Sequence, residues 1–229
     1  MTQVTNIRAC VFDAYGTLFD FNSAVAQHRA RLGDIADKFS ATWRSKQLEY
    51  TWLRALMRRH ADFWQVTQDA LDYTMDTFGV TDESLRRDLI EAYLHLDCYP
   101  DVREMLERLK RAEMQTAILS NGSPMMLQAA VTSARLENLI DRVLSVEQAG
   151  IFKPDPRVYQ LAVDELHVPA NAIAFQSSNA WDAVGAASFG LRVVWVNRFG
   201  QRRERLPHQP DVEIKSLKEL PNALGISDS

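Results

Sequence analysis

Residues 11–19 read Val-Phe-Asp-Ala-Tyr-Gly-Thr-Leu-Phe, and this stretch decides how the rest of the chain is interpreted. It completes an apolar run from Ile7 to Phe12, which is typical of a buried strand in a parallel sheet. The run ends at the carboxylate of Asp13, and Gly16 then permits a turn. Because ligands bind beyond the carboxyl ends of strands in open α/β sheets, Asp13 is predicted to face a functional site. An Asp that only caps the next turn is the alternative interpretation of this stretch alone.

The composition is that of a globular protein with no signature of a nucleic-acid or membrane partner. The chain has 229 residues, of which 46% are hydrophobic and 24% charged, and its formal net charge is −4. This length suits one large domain or two small ones, and the charge gives no basic surface for nucleic acid. No apolar run is long enough to span a bilayer, and the first six residues are polar. Two cysteines without metal-ligand spacing fit a cytoplasmic protein, which is the predicted location.

The periodicity of the chain changes after the first predicted strand. From about Phe21 to Leu96 the pattern is helical throughout, with apolar residues at steps of three and four. One predicted helix carries an apolar series broken only by Lys46: Phe39, Trp43, Tyr50, Leu53 and Met57. The next helix carries a second series: Phe63, Val66, Ala70, Thr74 and Phe78. This block is predicted to be an inserted helical bundle without a strand.

Beyond Tyr99 the predicted strands and helices alternate, which is typical of a doubly wound parallel sheet. The strands are predicted near residues 116–119, 142–146, 172–175, 191–196 and 212–214. The predicted fold class is α/β, a Rossmann-like doubly wound parallel sheet core with an inserted helical-bundle cap subdomain. The core domain is predicted over residues 1–18 and 98–229, and the cap over residues 19–97. The charged run from Arg202 to Arg205 is interpreted as a solvated loop.

Polar side chains follow the predicted strands one after another. They are Asp13 with Thr17, Ser120 with Asn121, Lys153, and Ser177 with Asn179 and Asp182. Each group alone has an ordinary explanation as a turn, a surface lysine or a helix start. Because the carboxyl ends of parallel strands meet at one edge of the sheet, we expect these side chains to lie together. Their joint occurrence favours a functional site over four unrelated caps.

This series of an Asp-x-x-x-Thr motif, a Ser-Asn pair, a Lys-Pro pair and a late Asp resembles the haloacid dehalogenase superfamily. Residues 12–18, 43–50, 119–123 and 177–182 resemble the L-2-haloacid dehalogenases in particular. The resemblance extends from Ile7 to about Leu220. It implies hydrolytic dehalogenation of short-chain L-2-haloacids to D-2-hydroxy acids and halide, with inversion, through an ester on Asp13. It implies no cofactor, and because relatives are often homodimers, a homodimer is expected.

The resemblance assigns the catalytic roles. Asp13 is the expected nucleophile, Thr17 positions its carboxylate, and Lys153 stabilises its ionised form. The expected base for the hydrolytic water is Asp182. Two further groups, Ser177 and Asn179, are expected to orient that water. Tyr159 is expected either to hydrogen-bond near Asp13 or to pack.

The resemblance also assigns substrate contacts. The substrate carboxylate is expected to be bound by the hydroxyl of Ser120 and by two backbone amides, those of Ala14 and Tyr15. The leaving halide is expected to meet a cradle of donors: Arg44, Asn121 and Trp181. The apolar wall around the alkyl group is expected to comprise Tyr15, Leu48, Phe63 and Trp181, although Leu48 and Phe63 are explained almost equally well as plain core.

The chain departs from the phosphatases of the same superfamily at the positions that serve their chemistry. Tyr15 stands where they carry a second acid, and Ser177 and Ser178 stand where they carry acids that hold magnesium. A halide leaves without needing a proton, so the missing acid costs nothing for dehalogenation. No metal site is predicted, because serines at these positions leave too few carboxylates to hold magnesium. Ser45 and Gln176 depart from the dehalogenase pattern; the first is expected to affect pocket size, and the second needs a hydrogen-bond partner.

Three alternatives stay open at this point. One is a metal-dependent phosphatase of the same superfamily, and a second is a dehalogenase specialised for fluoroacetate, which the absence of a histidine from the strand-end motifs disfavours. The third is a flavodoxin-like binding module without catalysis, which lacks a Gly-rich phosphate loop and leaves Asp13 and Lys153 unexplained.

Overall fold

The structure, a computed structural model, describes residues 3–226 and is organised around a six-stranded parallel sheet. The strand order is β5-β4-β1-β6-β7-β8. The strands, in chain order, are β1 (Ala9–Phe12), β2 (Phe19–Asp20), β3 (Asp97–Cys98), β4 (Gln115–Ser120), β5 (Arg142–Ser145), β6 (Ile173–Ser177), β7 (Arg192–Val196) and β8 (Val212–Ile214). The predicted parallel sheet is confirmed. Residues 1, 2 and 227–229 of the predicted core domain lie outside the described residues.

Strand β1 lies at the centre of the sheet, and its register explains why the strand ends meet. Phe12 pairs with Ile118 of β4 on one side and with Gln176 of β6 on the other. All four residues of β1 are fully buried, as expected for a parallel strand covered on both faces. The residues that follow β1, β4 and β6 therefore emerge together at one edge.

The inserted segment is helical, as the periodicity predicts, although its first two helices are single turns that the periodicity does not single out. The inserted segment holds α1 (Ser23–Ala26), α2 (Arg29–Leu32), α3 (Ala36–Met57), α4 (Phe63–Phe78) and α5 (Glu83–Leu94). The remainder holds α6 (Val102–Arg111), α7 (Pro124–Ser133), α8 (Pro156–Leu166), α9 (Ala180–Phe189) and α10 (Leu220–Ala223). Asp62 and Asp82 cap the starts of α4 and α5 with their side chains, and Gly79 ends α4 with a φ of 66°.

A two-stranded antiparallel sheet, β2 with β3, was not predicted. Phe19 pairs with Cys98 and Asp20 with Asp97, so the sheet joins the start of the inserted segment to its end. Two residues are too few to show an alternating pattern in the sequence. The proposed boundary at residues 18/19 falls directly before β2, and the one at residues 97/98 falls inside β3.

The buried face of α3 differs from the predicted apolar series in its second half. Phe39 and Trp43 are buried as expected, but Leu53 and Met57 are 42% and 60% exposed. The buried stripe continues through Gln47 and Thr51 instead. Gln47 can be buried because its amide donates to Thr67 Oγ1 at 3.0 Å, so its polar group is satisfied inside the cap.

Strand β6 is longer than its sequence predicts because it continues through two polar residues. The prediction stops at Phe175, whereas the strand includes Gln176 and Ser177, and both are fully buried. The side-chain amide of Gln176 has no hydrogen-bond partner among residues 3–226, so the partner that this departure needs is not supplied there.

No helix within residues 3–226 has the length and apolar character needed to cross a membrane.

Candidate active site

The carboxylate of Asp13 is the first side chain beyond β1, and donors from its own loop and from two other segments converge on it. Its Oδ1 accepts a hydrogen bond from Lys153 Nζ at 3.1 Å. Its Oδ2 accepts from Asn179 Nδ2 at 2.7 Å and from Thr17 Oγ1 at 3.4 Å. Ser177 Oγ lies 3.5 Å from the same oxygen. Such an array orders both carboxylate oxygens before any ligand arrives.

Lys153 links two carboxylates in the interior of the protein. Its ammonium, 1% exposed, lies 3.1 Å from Asp13 and 2.8 Å from Asp182 Oδ2. Burial opposes its charge, but the two carboxylates outweigh that effect and raise the pKa of Lys153. The backbone amide of Lys153 donates to Asn121 Oδ1 at 3.0 Å, which fixes the loop that carries it. The side chain is therefore a permanent cation between two acids.

Asp182 lies in the first turn of α9 and is fully buried. Its Oδ1 accepts a hydrogen bond from Tyr159 OH at 2.8 Å. Burial, assisted by the nearby charge of Asp13, raises the pKa of Asp182 against the opposing effect of Lys153. Burial also raises the pKa of Tyr159, so its phenol stays a neutral donor. Tyr159 thus donates to Asp182, which shares the ammonium of Lys153 with Asp13, so its hydrogen bond lies near the nucleophile as one of the two expectations had it.

The loops after β1 and β6 are bound to each other. Asn179 donates not only to Asp13 but also to the carbonyl of Tyr15, at 3.1 Å. Thr17 Oγ1 accepts from the amide of Ser178 at 2.8 Å while it donates to Asp13. Asp13 itself donates its amide to the carbonyl of Gln176 at 2.9 Å. The position of the carboxylate is therefore set by the backbone of both strands.

Ser120 and Asn121, at the end of β4, have contacts of a different kind. Ser120 Oγ accepts from the amide of Gly122 at 3.1 Å, within its own loop. Asn121 contacts the backbone of Lys153, as described above. In the described part of the chain these two side chains have no hydrogen bond to Asp13, although β4 lies beside β1.

The inserted segment contributes a cation and aromatic rings. Arg44, on α3, donates to Asn179 Oδ1 at 3.3 Å, and its guanidinium lies 4.9 Å from the ring centre of Phe21. The ring of Tyr15 stacks on Phe63 with centroids 5.7 Å apart. Burial raises the pKa of Tyr15, whose hydroxyl has no partner within residues 3–226. Tyr15 therefore lies in the cap–core interface as an un-ionised ring.

A cavity of about 350 Å³ lies against this group of residues. Its walls include Arg44, Leu48, Asn179 and Trp181. Trp181 also borders a second, more apolar cavity of about 470 Å³ beside Lys153. Ser45 is exposed on α3 and does not line the first cavity, so the structure gives no sign of the effect on pocket size expected for it.

Two residues that support the site were not predicted. Tyr93 packs its ring 5.6 Å from Tyr15 and donates its hydroxyl to Gln47 at 3.2 Å. Arg198 donates to the carbonyl of Thr17 at 3.0 Å and pairs with Asp101 at 2.7 Å. Arg198 follows an apolar strand, β7, so the signal that selected the other strand-end residues was present for it.

The donor set does not suit a divalent cation of the kind that phosphatases bind. The ammonium of Lys153 already lies between the two carboxylates, Asp13 and Asp182, that such an ion would need. At the positions where the phosphatases carry magnesium-binding acids, Ser177 and Ser178 offer hydroxyls instead of carboxylates. Within residues 3–226 no cluster of three or more His, Cys, Asp or Glu side chains is placed to hold a metal ion.

Comparison with known proteins agrees with this geometry. A model of the haloacid dehalogenase-like hydrolases matches residues 7–190. A curated (S)-2-haloacid dehalogenase 1 from Pseudomonas sp. (strain CBS-3) is 47% identical over 219 residues, covering 95% of this chain and 96% of its own. The chain belongs to the haloacid dehalogenase-like hydrolase family.

Two solved dehalogenase structures with bound compounds are similar to this chain. A crystal structure of a dehalogenase with an intermediate complex is 45% identical, with a TM-score of 0.94 over 96% of this chain and 98% of its own. An L-2-haloacid dehalogenase from Xanthobacter autotrophicus, with chloropropionic acid covalently bound, is 40% identical, with a TM-score of 0.88 over 94% and 97% of the two chains. A relative that shares the fold of this chain therefore binds chloropropionic acid covalently.

Proposed function

We propose that this protein hydrolyses short-chain L-2-haloacids to D-2-hydroxy acids and halide, with inversion, through an ester on Asp13. The observation that carries the proposal is the position of Lys153, whose ammonium lies between Asp13 and Asp182. The carboxylate of Asp13 is held ready as a nucleophile, and that of Asp182 remains available as a base. The covalently bound chloropropionic acid in the Xanthobacter relative supports the same chemistry.

In the first step a carboxylate oxygen of Asp13 attacks carbon 2 of the substrate from the side opposite the halogen. The carbon–oxygen bond forms as the carbon–halogen bond breaks, and the halide leaves with the bonding electrons. Attack from behind inverts the carbon centre. Thr17 and Asn179 hold the carboxylate for this attack, and Lys153 stabilises its charge beforehand.

The substrate is held at three points during this step. Its carboxylate binds the hydroxyl of Ser120 and the amides of Ala14 and Tyr15, next to the nucleophile in the chain. Its alkyl group meets the apolar wall, and the departing halide meets a cradle of donors: Arg44, Asn121 and Trp181. Fixing both ends of a small molecule places carbon 2 in line with Asp13, which is a large source of rate.

In the second step water attacks the carbonyl carbon of the Asp13 ester, so the bond to the product breaks on the protein side. Asp182 takes the proton from that water. The raised pKa of Asp182 suits this role, because a carboxylate with a higher pKa is a stronger base. Tyr159 orients Asp182, and Ser177 and Asn179 orient the water. The bond between the Asp13 carbonyl carbon and the ester oxygen then breaks, and the leaving alkoxide takes the proton from Asp182. The product leaves as the D-2-hydroxy acid, the second proton of the water passes to solvent, and the carboxylates of Asp13 and Asp182 are regenerated.

Halide release from L- and D-2-chloropropionate, measured with excess chelator present, tests the proposal. We expect chloride from the L-enantiomer alone, D-lactate as the product, and no release by Asp13→Ala. Magnesium-dependent phosphatase activity without halide release would support the phosphatase alternative. Fluoride release from fluoroacetate, measured in the same way, would support the alternative of a dehalogenase specialised for fluoroacetate. No reaction with any of these compounds would support the alternative of a binding module without catalysis.

We also propose that the protein is a homodimer in the cytoplasm. The second half of α3 exposes apolar side chains that a single chain leaves in water, including Leu53, Leu56 and Met57. Both cysteines, Cys10 and Cys98, are free thiols, which fits a reducing compartment. Light scattering is expected to give twice the 26.1 kDa of one chain, and Leu56→Glu is expected to shift the mass toward the monomer.

A further inference from the structure

A loop beyond β7 is held in a fixed conformation although most of it is exposed. Asn197 is 3% exposed, and its side chain closes the loop at both ends. Its Nδ2 donates to the carbonyl of Gln201 at 2.9 Å, and its Oδ1 accepts from the amide of Gln201 at 2.7 Å. The same Nδ2 donates to Glu213 Oε1 at 2.7 Å, which attaches the loop to β8. The residues that follow Asn197 are therefore presented from a rigid base.

This loop forms the outer wall of the cavity of about 350 Å³ described above. The loop residues in that wall are Phe199, Gln201, Arg202 and Glu204. On the inner side the cavity is lined by Arg44 and Asn179, and the amide of Asn179 lies 2.7 Å from the carboxylate of Asp13. The cavity thus extends from the exposed loop to a side chain in direct contact with the nucleophile.

The arginines near this loop differ in whether their charge is neutralised. Arg198 is paired with Asp101 at 2.7 Å and Arg203 with Glu213 at 3.3 Å. Arg202 has no ion pair with any residue in the described range 3–226, and it lines the cavity. An unpaired cation in the wall of a cavity raises the local concentration of anions. Glu204, also in the wall, opposes that effect.

We propose that this cavity is the route by which the haloacid anion reaches the site, and that Arg202 attracts the substrate carboxylate at its mouth while Glu204 limits the attraction. Arg202 is a specificity-determining residue at the entrance and takes no part in bond making. The proposal rests on the proposed function, because it assigns an entrance to that same site. It gives the charged run at residues 202–205 a role beyond that of a solvated loop.

The test is the steady-state kinetics of Arg202→Ala with L-2-bromopropionate, at ionic strengths of about 0.01 M and about 1 M set with sodium sulfate. At low ionic strength we expect KM to rise about threefold with kcat unchanged, since one unit charge at the mouth is lost. At high ionic strength the Debye length falls to about 3 Å, so the variant and the wild type should converge. Glu204→Gln is expected to lower KM by a similar factor, with the same dependence on salt.

Arg205→Ala is the matched control. Arg205 is exposed and has no ion pair within residues 3–226, and its removal changes the net charge as much as the removal of Arg202. Unlike Arg202, it does not line the cavity. Its KM should stay within about 1.5-fold of the wild-type value at low salt. Equal shifts in KM for Arg202→Ala and Arg205→Ala, or no shift in Arg202→Ala, would overturn the proposed entrance. Bromide release by the wild type in the same assay separates that outcome from a failure of the proposed function.

Discussion

The core side and the cap side of the candidate site differ in how many hydrogen bonds hold their side chains. On the core side Asp13, Lys153, Asp182 and Tyr159 are all buried and are joined by hydrogen bonds of 2.8 to 3.1 Å. On the cap side Arg44 makes one hydrogen bond to the core group, at 3.3 Å, and borders a cavity. The difference indicates that the core groups are fixed by a chain of hydrogen bonds, whereas Arg44 on the cap side is joined to them by a single one.

The contrast follows from how each side is made. The core residues leave parallel strands whose register is fixed, so their positions are set by the sheet. The cap residues come from helices that contact the core through aromatic rings, such as Phe63 on Tyr15. Variants on the core side should therefore lose the chemistry and stability together, and variants on the cap side should change rate or selectivity alone.

The largest effect is expected for Lys153→Met. It leaves Asp13 and Asp182 buried without their shared cation, so kcat/KM should fall by about 10³-fold or more. The free energy of unfolding, measured by urea denaturation, should fall by about 3–5 kcal/mol. Lys110→Met is the control, because its pair with Asp141 is about one-third exposed and should contribute at most about 1 kcal/mol. Equal losses of stability in the two variants would remove the contrast between core and surface.

A smaller loss is expected for Arg44→Gln on the cap side. The variant removes a positive charge near the departing halide, so kcat should fall by about 100-fold. The loss should be greater with 2-chloropropionate than with 2-bromopropionate, since chloride is the poorer leaving group. Arg54→Gln, on the same helix and paired with Asp69, is the control and should keep the wild-type rate. A change in the urea midpoint as large as that of Lys153→Met would contradict the looser attachment of Arg44 to the core group.

Leu48→Ala is expected to change selectivity more than rate. Leu48 lines the cavity, so a smaller side chain gives room for a longer alkyl group. The ratio of kcat/KM for 2-chlorobutyrate to that for 2-chloropropionate should rise about threefold. Leu53→Ala, on the exposed side of the same helix, should leave this ratio unchanged. A uniform decrease with both substrates would mean that Leu48 serves only as core.

The smallest effect on activity is expected at Asp101, whose side chain binds Arg198, Ser216 and the amide of Leu217, all in the core. Burial alone would raise the pKa of Asp101, but hydrogen bonds from Arg198 and Ser216 outweigh it and lower that pKa. A carboxyl with a lowered pKa stabilises the fold above its unfolded pKa, about 3.9, and loses this effect as pH falls through the folded value. The stability difference between wild type and Asp101→Asn should therefore be constant above pH 5 and shrink below pH 4. A difference that is unchanged down to pH 2.5 would contradict the lowered pKa.

Much of the core side could be predicted because the carboxyl ends of parallel strands meet at one edge of the sheet. Asp13, Ser177 and Asn179 follow apolar runs in the sequence, and parallel strands bring such positions together without further information. The roles of these residues came from the resemblance to a family, because a carboxylate beside a lysine fits several reactions. The geometry narrows that choice through the cation that Lys153 places between two acids.

The cap side was harder to predict because helical periodicity gives a face but not its partners. The apolar series on α3 predicted burial of Leu53 and Met57, whereas Gln47 and Thr51 are buried instead. Burial of a glutamine depends on a distant hydroxyl, that of Tyr93, which lies 46 residues away in the chain. Such pairings between helices leave no local pattern, so Tyr93 could be found only in the structure.

The central claim is that Asp13 carries the covalent intermediate and that water attacks its carbonyl. The most direct measurement is a single turnover in H₂¹⁸O, with enzyme in excess over L-2-chloropropionate, followed by mass spectrometry of the peptide that contains Asp13 and of the lactate. We expect one ¹⁸O atom in the carboxylate of Asp13 and none in the new hydroxyl group of lactate. Label in that hydroxyl, with an unlabelled Asp13, would mean that water attacks the substrate directly and that no ester forms on Asp13.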